Sequence, residues 1–359
     1  MIALWIIYGI IIGFELLLIL TFQFRFKKTD SGSLANTNLS VLIAARDEEH
    51  NLERCLDSLL NSDYDLSQVE FLIGDDNSTD ATWDVIMRYA GKYACIKGVK
   101  IEDQKDGLIA KGNVLAQLVD EAQYDKLLII DADMAVSEGW LTQMSALLDH
   151  HDLISGYTTI AATASKGTIQ YFDWSVVLHS MKAMADLFKP ISILGNNMGL
   201  NRQGYNDIGG WRGLGPTDVE DLGLLRRFQK EGKNTFQYVG NVGRAETLPQ
   251  LTFREMLIQR CRLMNGVFTH HWLVGIPALF ARLWFPVFLF TLAFDSNLHL
   301  LILGYALVIN QIKFLQMIAR GGGVKILNPI SPFIISLLYT FALLRLLFVG
   351  KVSWKGRKF

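Results

Sequence analysis

Between residues 39 and 130 short apolar runs alternate with amphipathic stretches. Leu39-Ser40-Val41-Leu42-Ile43-Ala44, Val69-Glu70-Phe71-Leu72-Ile73, Gly98 to Ile101 and Leu127 to Ile130 have the length of strands. Glu48 to Leu60, Ala81 to Tyr93 and Lys111 to Glu121 have the length of helices, and in the first of them Leu52, Cys55, Leu56, Leu59 and Leu60 share one face. This order leaves few folds open. Parallel strands need a crossover, a helix supplies it, and the crossovers are right-handed, so the expectation is an α/β fold with a doubly wound parallel sheet. Ligands of such a sheet bind beyond the carboxyl ends of its strands. The residues that follow each apolar run are therefore the first candidates for chemistry.

Asp131-Ala132-Asp133 follows directly on Lys126-Leu127-Leu128-Ile129-Ile130. Two carboxylates alternating at a strand mouth can hold a hard divalent cation, and the cation can clamp a diphosphate. A lone triplet of this kind is common in loops, so its meaning depends on its neighbours. Asp75-Asp76-Asn77-Ser78-Thr79-Asp80 follows the second run. Asn77, Ser78 or Thr79 can cap the next helix. Capping does not require the two acids before them, which suit a ring N–H or a ribose hydroxyl. Ala44-Ala45-Arg46-Asp47-Glu48-Glu49 ends the first run, where acids in a first helical turn favour the macrodipole. Lys111 is either a point charge for a diphosphate or an ordinary solvated lysine.

Further along, the glycine-rich segment Gly209-Gly210-Trp211-Arg212-Gly213-Leu214-Gly215-Pro216 leads into Thr217-Asp218-Val219-Glu220-Asp221. Acids at a helix start are favoured by the dipole. Beside a glycine-bearing wall with an embedded tryptophan they can also take a proton from an acceptor hydroxyl. In Gln259-Arg260-Cys261-Arg262-Leu263, Gln259 and Arg262 share a helical face. Arg262 suits a phosphate or sugar, and equally an anionic lipid headgroup.

Both ends of the chain are apolar. Half of the 359 residues are hydrophobic, which points to a soluble domain joined to membrane segments. Met1 to Phe22 is long enough to cross a bilayer. It lacks the basic start and small-residue cleavage site of a signal peptide and is followed by Arg25, Lys27 and Lys28, so the expectation is an uncleaved anchor with the downstream domain cytoplasmic. Three more apolar stretches lie near 273–294, 298–319 and 328–349. The first carries Pro277, Arg282 and Pro286 and suits a kinked, re-entrant or interfacial helix. Three crossings would put the basic tail (Lys351, Lys355, Arg357, Lys358) outside, against the positive-inside rule, so the first stretch is expected not to span. The helices expected over Gly167 to Phe188 and Thr252 to Phe268 suit either the membrane interface or the core. With 34 basic and 35 acidic residues no overall field favours nucleic acid. Cys55, Cys95 and Cys261 are scattered and suggest neither a disulfide framework nor zinc spacing.

Taken in order, A-A-R-D-E-E, D-D-N-S-T-D, a lysine, D-A-D, G-N-N-M with G-G-W, E-D and Q-R-C-R-L make the segment 39–265 resemble the family 2 glycosyltransferases, whose catalytic domain is the GT-A fold, α/β and doubly wound with a mostly parallel sheet. The flanking apolar helices and the tail Trp354-Lys355-Gly356-Arg357 resemble the membrane-bound branch, with ceramide glucosyltransferase-like and polysaccharide synthase-like enzymes. The resemblance implies an anchor over 1–24, a linker over 25–38, the GT-A domain over 39–265, a membrane region over 266–350 and a basic cytoplasmic tail over 351–359. It implies Ala44, Glu48, Asp75, Asp76, Lys111, Asp131, Gln259 and Arg262 on the donor, with Asp76 foremost for the base and Lys111 near the diphosphate. Asp131 and Asp133 would hold Mn²⁺ or Mg²⁺, Asp221 would be the catalytic base with Glu220 beside it, and Asn197, Gly210 and Trp211 would face the acceptor. Leu263 departs from the tryptophan that often closes the family's Q-x-x-R-W.

The implied activity is inverting, metal-dependent transfer of a sugar from a nucleotide-sugar donor, such as a UDP-sugar, to a hydroxyl of a membrane lipid or lipid-linked acceptor. Its place would be the cytoplasmic face of a bacterial inner (plasma) membrane. A processive polysaccharide synthase and a non-catalytic nucleotide-sugar-binding membrane protein are the alternatives.

Overall fold

A computed structural model describes residues 2–28, 37–215, 220–294, 297–323, 329–349, 353–354 and 357–358. One apolar helix, α1 (Ile2–Phe24), precedes the alternation. Then come β1 (Leu39–Ala45), α2 (Leu52–Leu60), β2 (Val69–Asp75), α3 (Thr82–Lys92), β3 (Ile96–Lys100), α4 (Ala110–Glu121) and β4 (Lys126–Ile130). β1 pairs in parallel with both β2 and β4, and β2 with β3. Val41, Ile43, Phe71, Ile73, Leu128 and Ile130 enter the core on one face of the sheet, and Leu42, Leu72, Leu127 and Ile129 the core on the other. Burial on both faces is the reason these runs read as nearly continuous apolar segments. The expected alternation is present, with two shifts: β3 runs Ile96–Lys100 where Gly98 to Ile101 was expected, and α2 begins at Leu52, so Asp47 and Glu48 precede the helix and do not lie in its first turn.

Beyond β4 the chain is less regular. It passes through β5 (Met134–Val136), α5 (Trp140–Leu148), β6 (Leu153–Ser155), β7 (Tyr157–Ile160), α6 (Ala164–Leu187), β8 (Asn197–Asn201), α7 (Arg202–Asp207), α8 (Gly210–Leu214), α9 (Glu220–Lys230), β9 (Thr235–Gln237) and β10 (Arg244–Thr247). The main sheet has the order β3-β2-β1-β4-β8-β6-β9, with β8 antiparallel to both of its neighbours. A second sheet, β5-β10-β7, adjoins the residues that follow β4. β5, β6, β7, β9 and β10 have three or four residues, too few to carry a readable period, and β8 has only two large apolar residues.

The C-terminal part is helical: α10 (Phe253–Arg282), α11 (Trp284–Thr291), α12 (Leu298–Gly304), a π-helical turn at Tyr305–Ile309, α13 (Asn310–Gly321) and α14 (Ser331–Val349). Ile2–Phe24, Leu298–Gly321 and Ser331–Val349 are long and apolar enough to cross a membrane. The stretch 273–294 is instead divided between the end of α10 and the short α11. α6 packs against α1, α13 and α14 as well as β7, and so joins the sheet to the apolar helices. Charges fix these contacts. Lys313 Nζ lies 2.6 Å from Glu15 of α1, and Asp173 of α6 pairs with Arg260 at 2.8 Å and Arg282 at 3.1 Å. Buried pairs of this kind add little net stability, but separating them is costly, so they hold the helices in one register.

Candidate active site

The carboxyl ends of β1 and β2 lie side by side, with Ala45 opposite Asp75. The loops that leave them are stapled together. Thr79 N and Oγ1 donate to Asp47 Oδ1 at 2.8 and 3.1 Å, Asp47 N donates to Ser78 Oγ, Glu49 N to Asp80, and Ala81 N to Glu49. Asp47 and Asn77 both sit at positive φ, a conformation that Asp and Asn tolerate better than most residues. Glu48 is buried, with its N–H on Thr82 Oγ1 and its carboxylate accepting from Asn51. Asp75 is also buried and accepts from Ser78 N. Asp76 retains surface and pairs with Arg46 at 3.5 Å, so of the two acids it is the one presented at the strand end. Ala44 is half-buried in β1.

At the neighbouring strand end Asp131 meets Lys111. The ammonium of Lys111, in the first turn of α4, lies 2.5 Å from Asp131 Oδ1 and 2.7 Å from the carbonyl of Gly195. Gly195 N in turn donates to Asp221 Oδ2 at 2.9 Å, and Leu222 N donates to Asp221 Oδ1 at 2.7 Å. One short loop thus ties the D-x-D carboxylate, the lysine and the acid at the start of α9 into a single cluster. Burial, opposed by Lys111 and reinforced by Asp221, pushes Glu220 up to about 7. Burial likewise raises Asp221, against Lys111 and the two amides. The Lys111 ammonium is stabilised in return: Asp131, Glu220 and Asp221 outweigh its desolvation. Arg262 of α10 is exposed and stands close enough to Glu220 and Asp131 to feel both charges.

Other expected residues lie elsewhere. Gln259 is half-buried and its amide oxygen accepts from Arg260. The three residues expected to face an acceptor are packed inside. Asn197 is fully buried, accepting from Trp140 Nε1 and donating to the Tyr157 carbonyl. Gly210 has positive φ and no room for a side chain beside Tyr205. Trp211 is buried against the Tyr205 ring behind Gly112 and Glu220. Their burial puts them in the support of the cluster. Pro216 to Val219 lie outside the described residues.

Two residues went unnoticed in the sequence. Arg54 of α2 donates to the carbonyl of Asp133 at 2.6 Å and so holds the turn that carries both aspartates. Gly195 is the other: it opens the G-N-N-M string, but the part its backbone plays left no sign there. A Cβ there would lie 2.8 Å from Asp221 Oδ2. Gly195→Ala is therefore expected to displace the carboxylate and lower kcat by about tenfold to a hundredfold, with the melting temperature little changed; steady-state kinetics beside a thermal melt check this.

Among the described residues no three His, Cys, Asp or Glu side chains form a cation cage. The donor set at Asp131 and Asp133 suits instead a hard cation held by one or two carboxylates, with substrate phosphates completing its shell. A cation at Asp131 competes with Lys111 for the same carboxylate.

The sheet order and the acidic strand-end cluster define a GT-A-type glycosyltransferase fold. Residues 40–209 match the family model described as glycosyl transferase family 2, and residues 126–349 match glycosyl transferase family group 2; the chain belongs to this family. It is 27% identical over 202 residues to a beta-monoglucosyldiacylglycerol synthase of Nostoc sp., covering 55% of this chain and 42% of that one. It is 26% identical over 202 residues to the probable glycosyltransferase YdaM of Bacillus subtilis, covering 54% and 47%. The chain thus spans less than half the length of these relatives. The structure of the mannosyltransferase PcManGT from Pyrobaculum calidifontis, in complex with GDP-Man and Mn²⁺, is similar over 96% of this chain and 98% of that one, with a TM-score of 0.60 at 15% identity.

Proposed function

We propose that the chain transfers a sugar from a nucleotide-sugar donor to a hydroxyl of a membrane lipid or lipid-linked acceptor, with inversion, at the cytoplasmic face of the membrane. The observation that carries this reading is the Lys111–Asp131–Gly195–Asp221 cluster, with Arg262 of α10 beside it. Asp76 and the stapled loops border the base and ribose, Lys111 and Arg262 meet the diphosphate, and Asp131 with Asp133 would hold Mn²⁺ or Mg²⁺. A cation bound there supplies Lewis-acid neutralisation of the leaving diphosphate. Asp221 takes the proton of the acceptor hydroxyl, and the oxygen attacks the anomeric carbon in one displacement. The two backbone amides on Asp221 fix its direction. The raised affinity of both acids for a proton makes them better bases than a solvated carboxylate.

Orientation follows from charge and the three candidate spans. With α1 crossing once and two later helices crossing in opposite senses, the GT-A domain and the basic tail share the cytoplasmic side. The named relative acts, by its name, on a diacylglycerol lipid, which supports a lipid acceptor. Membranes carrying the chain, incubated with a panel of labelled nucleotide sugars, are expected to pass one label into the lipid extract as a single added sugar. Label in long polymer, or in free sugar alone, would refute the reading.

A pH dependence follows as well. The base acts in its deprotonated form and burial raises the Asp221 carboxyl above its ordinary range, so kcat/KM should rise with pH along an acid limb that lies above that of a solvated carboxylate. Lys111 opposes that rise, so Lys111→Met should move the acid limb to higher pH. A pH–rate profile of both proteins checks the direction.

A further inference from the structure

α9 begins at the acidic cluster and ends about 16 Å away. Past its far end lies a cavity of about 280 Å³, lined among others by Lys27, Asp186, Phe188, Lys189, Lys233 and Gln237. Nothing in the proposed transfer uses it. Its lining is uncommon in two ways. Gln237 is 2% exposed and its amide oxygen has no hydrogen-bond partner. A buried amide left this way costs free energy that a ligand hydroxyl or N–H recovers. Asp186, the one acid among the described lining residues, is already neutralised: Lys182 Nζ lies 2.6 Å from Oδ1, and Lys27 N donates to Oδ2. Lys233 pairs with Asp207 at the rim, and Lys27 and Lys189 are exposed cations, so the cavity is net positive.

Its position narrows the ligand. Lys27 stands three residues beyond the end of α1, a membrane-spanning candidate, within about 10 Å of the helix end. Phe188 at the rim is 66% exposed. The volume admits a small polar headgroup and is too small for a nucleotide sugar.

We propose that this cavity binds the phosphodiester headgroup of an anionic, hydroxyl-bearing phospholipid, with the phosphate on Lys27 and Lys189 and the hydroxyl on Gln237. The bound lipid fixes the catalytic domain against the bilayer beside its anchor. The site does not depend on the transfer reaction, and binding is read without turnover, so the two assignments fail separately.

The full chain is reconstituted in nanodiscs of phosphatidylcholine with or without phosphatidylglycerol. Retained lipid is measured by native mass spectrometry, and hydrogen exchange is followed at 185–190 and 232–237. Phosphatidylglycerol is expected to be retained and to protect both segments. Lys189→Glu, at an exposed position, and Gln237→Leu, near in volume, should each weaken retention by about tenfold. Lys28→Glu, which does not line the cavity, should not. Retention by Lys189→Glu equal to the wild type would overturn the proposal. So would an equal loss in Lys28→Glu, which would reduce the effect to general surface attraction. Inorganic phosphate protecting both segments in pure phosphatidylcholine as strongly as the lipid would assign the cavity to free phosphate and overturn the lipid.

Discussion

Asp221→Asn is expected to lower the rate of sugar transfer by about a thousandfold, equivalent to about 4 kcal/mol of transition-state stabilisation, while donor affinity stays within about threefold. The substitution keeps the shape of the side chain and removes its capacity to take a proton. One of its two amide contacts survives, because the remaining oxygen still accepts from either Gly195 N or Leu222 N. The other becomes a meeting of two donors, so a small loss of order at the 194–196 loop comes with the loss of the base. Donor titration by calorimetry beside single-turnover transfer separates these effects. If donor binding falls together with activity, Asp221 positions the donor or its cation and is more than a base. Glu220→Gln is the control: burial and Asp221 push Glu220 up to about 7, and Glu220 is the other acid of the cluster. A larger loss in Glu220→Gln than in Asp221→Asn would exchange the two roles.

How much of this site was legible in sequence differs by residue, and the reasons are physical. The three inner parallel strands β1, β2 and β4 announce themselves because burial on both faces writes a nearly unbroken apolar run, and the acids after those runs stand out against it. Asp131, Lys111 and Asp221 could be named because of their order along the chain after the apolar runs, although each alone also suits a helix dipole or solvent. Their connection could not. It passes through the carbonyl and the amide of Gly195, backbone groups that leave no side-chain signature. Asp47 and Glu48 suited a helix start in sequence, yet the Asp47 carboxylate and the Glu48 N–H bind the following loop across the strand ends, which depends on where the neighbouring strand end falls, a long-range fact. Asn197 and Trp211 read as surface because polar and glycine-rich surroundings suggest a wall. The partners of Asn197, Trp140 and Tyr157, come from elements distant in sequence, and Trp211 turns back onto Tyr205 of the preceding helix. β8 reads poorly because Asn197-Met198-Gly199-Leu200-Asn201 offers only two large apolar residues, and its antiparallel direction has no local cause.

Asp133→Ala is expected to weaken donor binding in the presence of Mn²⁺ by at least about a hundredfold, a loss of about 2.7 kcal/mol. The wild-type chain in excess chelator should bind the donor as weakly as the variant does, and chelator should have no further effect on the variant. The argument rests on which part of Asp133 does what. Its carbonyl accepts from Arg54 and holds the turn, and alanine keeps that contact. Only the carboxylate is removed, so the fold and the neighbouring Asp131–Lys111 pair remain and the melting temperature should stay near that of the wild type. Asp131→Asn makes a contrasting case. It takes a charge from the cation set and from Lys111 together, so it should lower donor affinity and also leave the buried end of Lys111 with a weaker partner. Donor binding by Asp133→Ala that matches the wild type, or wild-type binding unchanged in chelator, would remove the cation from Asp131 and Asp133. The diphosphate would then rest on Lys111 and Arg262 alone, and Lys111, bound to Asp131 in this structure, would have to leave that carboxylate to reach it.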